Sequence, residues 1–125
     1  MVKEMKAGLF YKLWKDAQGQ PDKELYIAEY GYPEWFDEIS PDLDEVAETL
    51  DHIHDMANMG MRDLIYTSKM TQASFARNFL IDPRTVRKWA LGECKCPDYV
   101  RLLFLRQTGL LKIGLLTEEK TNEQD

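Results

Sequence analysis

Residues 71–92 read Thr71-Gln72-Ala73-Ser74-Phe75-Ala76-Arg77-Asn78-Phe79-Leu80-Ile81-Asp82-Pro83-Arg84-Thr85-Val86-Arg87-Lys88-Trp89-Ala90-Leu91-Gly92. The stretch encodes two helices and a tight turn. The Thr71 hydroxyl is placed to cap the first helix, whose inner positions are Phe75, Ala76 and Phe79 at helical spacing. Ala76 falls where the two helices would cross, and a small side chain there lets the backbones approach. Ile81 fills the corner under a turn of three to four residues. Asp82 caps the second helix and Pro83 takes its first position. Val86 and Trp89 return to the core, and Gly92 ends the helix. Arg84, Thr85, Arg87 and Lys88 are left on the outer face, near the start of the second helix.

Such a face has two readings. Basic residues on a helix are often no more than a solvated surface. A helix of this width also fits the DNA major groove, with its N-terminal residues at base edges while the preceding helix crosses the backbone. Arginine can contact guanine through two hydrogen bonds, whereas lysine mainly supplies charge to phosphates. Amides at the Thr71 end of the first helix, together with Gln72, are placed to grip a phosphate. The agreement of caps, small crossing residue and buried Val86 and Trp89 favours DNA.

Thr71-Gln72, Phe75-Ala76, Ile81, Thr85-Val86 and Trp89-Ala90-Leu91-Gly92 resemble the lambda-repressor/Cro-type (XRE-like) helix-turn-helix regulators. Pro97 stands where that family has a proline after the motif. The likeness runs on through Tyr99–Leu103 and Gly109–Leu111, which resemble the family's closing helix, so it covers about half the chain. It implies a helix-turn-helix transcriptional regulator that contacts double-stranded DNA through Thr71, Gln72, Arg84, Thr85, Arg87 and Lys88. An acidic segment before such a domain is similar to the layout of regulators from bacteria and their mobile elements. The chain departs from the pattern at two places. Leu80 replaces the glycine of the turn, so it must adopt a left-handed backbone or reshape the turn. Ala90 replaces a glutamate after the tryptophan. Asp82 and Pro83 also stand where base-reading polar side chains are frequent.

Outward from the motif, Tyr99, Val100, Leu102, Leu103, Phe104 and Leu105 make the closing helix apolar around most of its circumference, more than one domain face requires. Either Leu110–Leu116 folds back over the second face, or that face meets its copy across a two-fold axis and the protein is a homodimer. The dimer reading places Phe104 and Leu105 at the interface. Upstream, Met61, Leu64 and Ile65 point inward from a helix that begins after Gly60.

The first half is different in kind. From Met1 to Gly60, five Lys/Arg stand against fourteen Asp/Glu; from Met61 to Leu116, ten stand against four. The whole-chain charge of −6 therefore conceals a basic module. Leu9–Trp14 and Glu24–Tyr30 are rich in aromatic and branched residues and read as two strands of a β-hairpin around a polar Gly/Pro-containing loop. A two-stranded hairpin cannot hide both faces, so Phe10, Tyr11, Trp14, Tyr26, Tyr30 and Tyr32 divide between core and a partner-binding surface. Gly31-Tyr32-Pro33 ends the second strand, with Trp35 and Phe36 packing back on it. Ser40-Pro41 starts a helix with Leu43, Val46, Ala47, Leu50, Ile53 and Ala57 inside and Asp44, Glu45, Glu48, Asp51 and Asp55 outside.

His52 and His54 point about 200° apart on that helix, so they cannot share an ion and read as solvated surface. Cys94 and Cys96 are too few for a zinc site and too close for a disulfide. No metal, cofactor or catalytic constellation is present, and an enzyme is not expected. No apolar run nears the roughly 18 residues of a membrane span, and no signal segment follows Met1, so a cytoplasmic location is expected.

The expected architecture is mainly α, or α+β overall. It comprises an acidic β-hairpin plus helix over 1–58, a repressor-like bundle of four or five helices over 59–116, and a disordered tail over 117–125. The rival functional reading is a protein-interaction or adaptor module whose acidic N-terminal half binds a protein partner.

Overall fold

Phe10, Leu13, Trp14 and Ala17 recur at three- and four-residue steps. In the computed structural model, which describes residues 1–31 and 42–116, they form the buried stripe of helix α1 (Ala7–Gly19). Helix α2 (Lys23–Tyr30) follows after three residues. The Asp22 carboxylate accepts the N–H groups of Glu24 at 2.9 Å and Leu25 at 3.2 Å, and Tyr26 and Tyr30 turn inward one helical turn apart. Both runs expected as hairpin strands are thus helical. The buried aromatics Phe10, Trp14, Tyr26 and Tyr30 serve the core of their own unit, while Tyr11 is exposed. Helix α3 (Leu43–Asn58) supplies the surface on which α1 and α2 pack, through Val46, Leu50, Ile53 and Ala57. Its first amides are satisfied by Asp42, whose carboxylate accepts from Asp44 N–H at 2.9 Å. The expected Ser40-Pro41 start and the packing of Tyr32, Trp35 and Phe36 lie outside the described residues, as does the tail 117–125.

The only strands among the described residues are short: β1 (Glu4–Met5) pairs in parallel with β2 (Gly114–Leu115), Glu4 opposite Gly114 and Met5 opposite Leu115. Among the described residues, the first unit therefore comprises 1–31, 42–58 and 112–116, and the second spans Met59–Leu111.

Polar groups buried in the first unit are paired, as burial requires. Thr49 Oγ1 accepts the Val2 N–H and donates to the Glu45 carbonyl, both at 2.8 Å. The Tyr26 hydroxyl donates to the Leu13 carbonyl at 2.7 Å, and burial pushes its pKa well above the usual tyrosine range. Tyr30 donates to Asp16, which also pairs with Lys12; this bond drives the Tyr30 hydroxyl up to about 12 and the Asp16 carboxyl down. The acidic face of α3 is partly neutralised by Lys23, which bridges Asp51 at 2.8 Å and Asp55 at 2.6 Å.

The two histidines are structural rather than solvated. His54 is buried, and its Nε2 lies 2.7 Å from the Gln20 carbonyl, which can only accept, so Nε2 carries the proton. His52 Nε2 is 3.0 Å from the Lys112 backbone nitrogen. That N–H donates, so the bond needs an unprotonated Nε2. Burial first, then the Lys112 charge, lower the His52 pKa against the opposing pull of Asp55 and Asp51. A lowered histidine pKa gives stability that is full above about pH 6.5 and lost as pH falls through the folded-state value. Amide-exchange protection of Lys112, Gly114 and Leu116 should therefore fall on acidification below pH 6.5. In His52→Gln the amide oxygen still accepts but does not titrate, and the step should vanish. Identical profiles for the two proteins would refute the linkage.

In the second unit, α4 (Met61–Thr67), α5 (Gln72–Phe79), α6 (Pro83–Leu91) and α7 (Asp98–Gln107) enclose Met61, Leu64, Ile65, Phe75, Ala76, Val86, Phe104 and Leu105. Phe104 joins three of these helices: its ring lies 5.0 Å from Phe75, 4.9 Å from Phe79 and 6.0 Å from Trp89. Arg101, also buried, donates to the Met59 carbonyl at 2.9 Å and to Asp98 at 2.7 Å. Phe104 and Leu105 are core, 7% and 0% exposed, which removes them from any interface between copies; Tyr99 and Leu103 are the exposed large apolar residues of α7. Cys96 is buried, which pushes its thiol up to about 11, and Cys94 is exposed. Among the described residues no helix is long and apolar enough to cross a membrane.

Candidate nucleic-acid interface

Thr71 caps α5 through its hydroxyl, which accepts the Ser74 N–H at 3.0 Å. Phe75 and Ala76 are buried against the neighbouring helices, Phe79 is half-buried, and Thr71 and Gln72 are exposed at the helix start. Three residues then lead to α6. Asp82 caps it by accepting the Arg84 N–H at 2.8 Å, and Pro83 occupies the first turn, where its missing N–H costs nothing. Val86 is buried and Trp89 half-buried, so α6 lies with this side on the core.

The opposite side carries Arg84, Arg87 and Lys88, one helical turn apart and all exposed. None of the three forms an ion pair among the described residues. Thr85 is half-buried, set to the flank of this stripe, and the stripe continues instead to Leu91, which is exposed. The second unit as a whole holds nine Lys/Arg against four Asp/Glu.

The ends of α4, α5 and α6 repeat one device. A residue in the left-handed region donates its N–H three residues back, and the next N–H reaches five residues back. At α6 the left-handed residue is Gly92 (φ 79°), with Gly92 N–H to Trp89 and Glu93 N–H to Lys88. At α5 it is Leu80 (φ 56°), with Ile81 N–H to Ala76 at 2.9 Å, and at α4 it is Lys69 (φ 64°), with Met70 N–H to Ile65. Leu80 keeps the turn and bears the strain of a left-handed non-glycine. Its side chain is 94% exposed and recovers nothing by burial. The left-handed state costs an ordinary residue about 1–2 kcal/mol, and glycine loses about 0.4–1 kcal/mol through its freer unfolded chain. Leu80→Gly should therefore stabilise the protein by about 0.5–1 kcal/mol, raising Tm by about 2–6 °C in a thermal melt. A lowered Tm would show that the leucine side chain contributes something the turn geometry does not.

Beside Thr71 and Gln72 the surface carries two hollows, and Tyr66 and Met70 line both. Tyr66, Thr67, Lys69, Met70 and Thr71 line a hollow of about 560 Å³, and Arg62, Ile65, Tyr66, Met70 and Gln72 a smaller one of about 180 Å³. Arg62 and Tyr66, four residues apart on α4, were the available sequence signal for this region. Among the described residues no group of three or more His, Cys, Asp or Glu could hold a metal ion. Comparison of the chain with family models, curated proteins and solved structures gives no match.

Proposed function

We propose that this chain is a sequence-specific DNA-binding transcriptional regulator, with α5 and α6 as a helix-turn-helix of the repressor type. In this reading α6 enters the major groove, Arg84 and Arg87 contact base edges, and Lys88 holds phosphate. Thr71 and Gln72 grip the backbone from the start of α5, and Thr85 supports the edge of the contact. One observation carries it: a stripe of three exposed cations without ion partners among the described residues lies on a short helix whose other side is fixed to the core. Groove-reading helices need that arrangement of a rigid back and a free basic front. Homodimerisation on a two-fold site belongs to the same proposal, with Tyr99 and Leu103 as the apolar residues of α7 available to a second copy.

Selection of bound fragments from random duplex DNA by the purified protein tests all of this together. The expected result is an enriched sequence made of two inverted half-sites. An asymmetric single half-site would remove the dimer. No enrichment, with binding independent of salt or absent, would overturn the DNA reading in favour of the adaptor role.

A further inference from the structure

Tyr66 is 82% exposed, at the end of α4, and lines both hollows described above. Arg62 lines one hollow and Lys69 the other; both are exposed, and neither has an ion pair among the described residues. Asp63, the acidic residue of α4, lines neither hollow. Lys69 occupies a left-handed turn position that glycine or asparagine fills at lower cost, so local backbone energetics do not explain a lysine. The two hollows share walls with Thr71 and Gln72, the residues assigned above to the DNA backbone. An exposed tyrosine with two exposed cations one helical turn away has the chemistry of a phosphodiester contact: a hydroxyl donor, a flat apolar ring for the sugar, and two positive charges.

We infer that Arg62, Tyr66 and Lys69 extend the interface with duplex DNA along the phosphate backbone beyond α5. The inference rests on the DNA-binding reading and adds a sequence-independent clamp to it. Tyr66 donates its hydroxyl to a phosphate, and Arg62 and Lys69 neutralise neighbouring phosphates in the two hollows.

The test measures binding of the full chain to its selected duplex and to an unrelated duplex of equal length, over a series of salt concentrations. Each lost phosphate contact by a cation makes the slope of log K against log salt shallower by about 0.9. Arg62→Gln combined with Lys69→Asn should thus lower the slope by about 1.8 and weaken both duplexes by the same factor. Lys69→Gly, which also suits the left-handed backbone, replaces the asparagine variant if that disturbs the turn. Tyr66→Phe removes one hydroxyl and no charge, so it should bind both duplexes about 3- to 10-fold less tightly with the slope unchanged. A parental slope in the double variant, or parental affinity in Tyr66→Phe, overturns the inference while leaving the α6 reading intact. A parent chain that binds neither duplex overturns that reading, and the clamp with it.

Discussion

Phe104→Ala should cost about 3–5 kcal/mol, the usual penalty for emptying an aromatic position in a packed core. Small domains are stable by about 5–15 kcal/mol in total, and a unit as short as the one from Met59 to Leu111 buries a smaller fraction of its unfolded surface than a larger domain does, which puts it at the low end of that range. The loss therefore removes most of that unit's stability. Two effects combine. The vacated volume cannot collapse, because Phe75, Phe79 and Trp89 approach from two different helices. The edge-on ring contacts, worth about 0.5–1.5 kcal/mol per pair beyond area burial, disappear as well. Chemical denaturation followed by near-ultraviolet circular dichroism measures the change. Leu103→Ala is the internal contrast: one residue earlier and 59% exposed, it should stay within about 0.5 kcal/mol of the parent. Equal effects of the two substitutions would mean that α7 does not present Phe104 to the core. The same geometry says that Phe104→Glu would unfold the unit rather than separate two copies.

The contrast between neighbours on α7 also marks where sequence reading stops. In a helix apolar on nearly every side, periodicity cannot choose the inner face, and only the rings of Phe75, Phe79 and Trp89 decide it. The α5–α6 pair was legible because each signal was local: hydroxyl and carboxylate caps, Pro83 at a first turn, Gly92 at an end, and Ala76, Val86 and Trp89 at helical steps. The N-terminal half departs from its expected hairpin for an equally local reason. Aromatic and branched composition in Leu9–Trp14 and Glu24–Tyr30 suits strands, yet Phe10, Leu13, Trp14 and Ala17 keep helical steps and Asp22 stands where a cap is needed, and the helical spacing wins. The strand pair was out of reach, since two residues carry no alternation. The histidines were as well, because their partners Gln20 and Lys112 lie 34 and 60 residues away.

Replacing Arg84 and Arg87 together should abolish most sequence preference in DNA binding while leaving the fold intact. A paired arginine–guanine contact is worth about 1–3 kcal/mol of discrimination. Each single alanine variant should thus weaken the selected site by about 5- to 150-fold and relax specificity at one base pair. Lys88→Gln should instead weaken all sequences alike and make the salt slope shallower by about 0.9. Arg84 offers a sharper discrimination, because its position is unfavourable for the helix itself. It lies in the first turn of α6, where the backbone amides point outward and a cation opposes the helix dipole at a cost of about 0.3–1 kcal/mol. The Asp82 carboxylate at the cap offsets part of that cost. A residue kept for stability would not sit there. Arg84→Ala should therefore hold or slightly raise the denaturation midpoint while lowering affinity for the selected duplex. A substitution that lowered stability and left affinity and base preference unchanged would make Arg84 a surface residue of the fold and withdraw it from the groove.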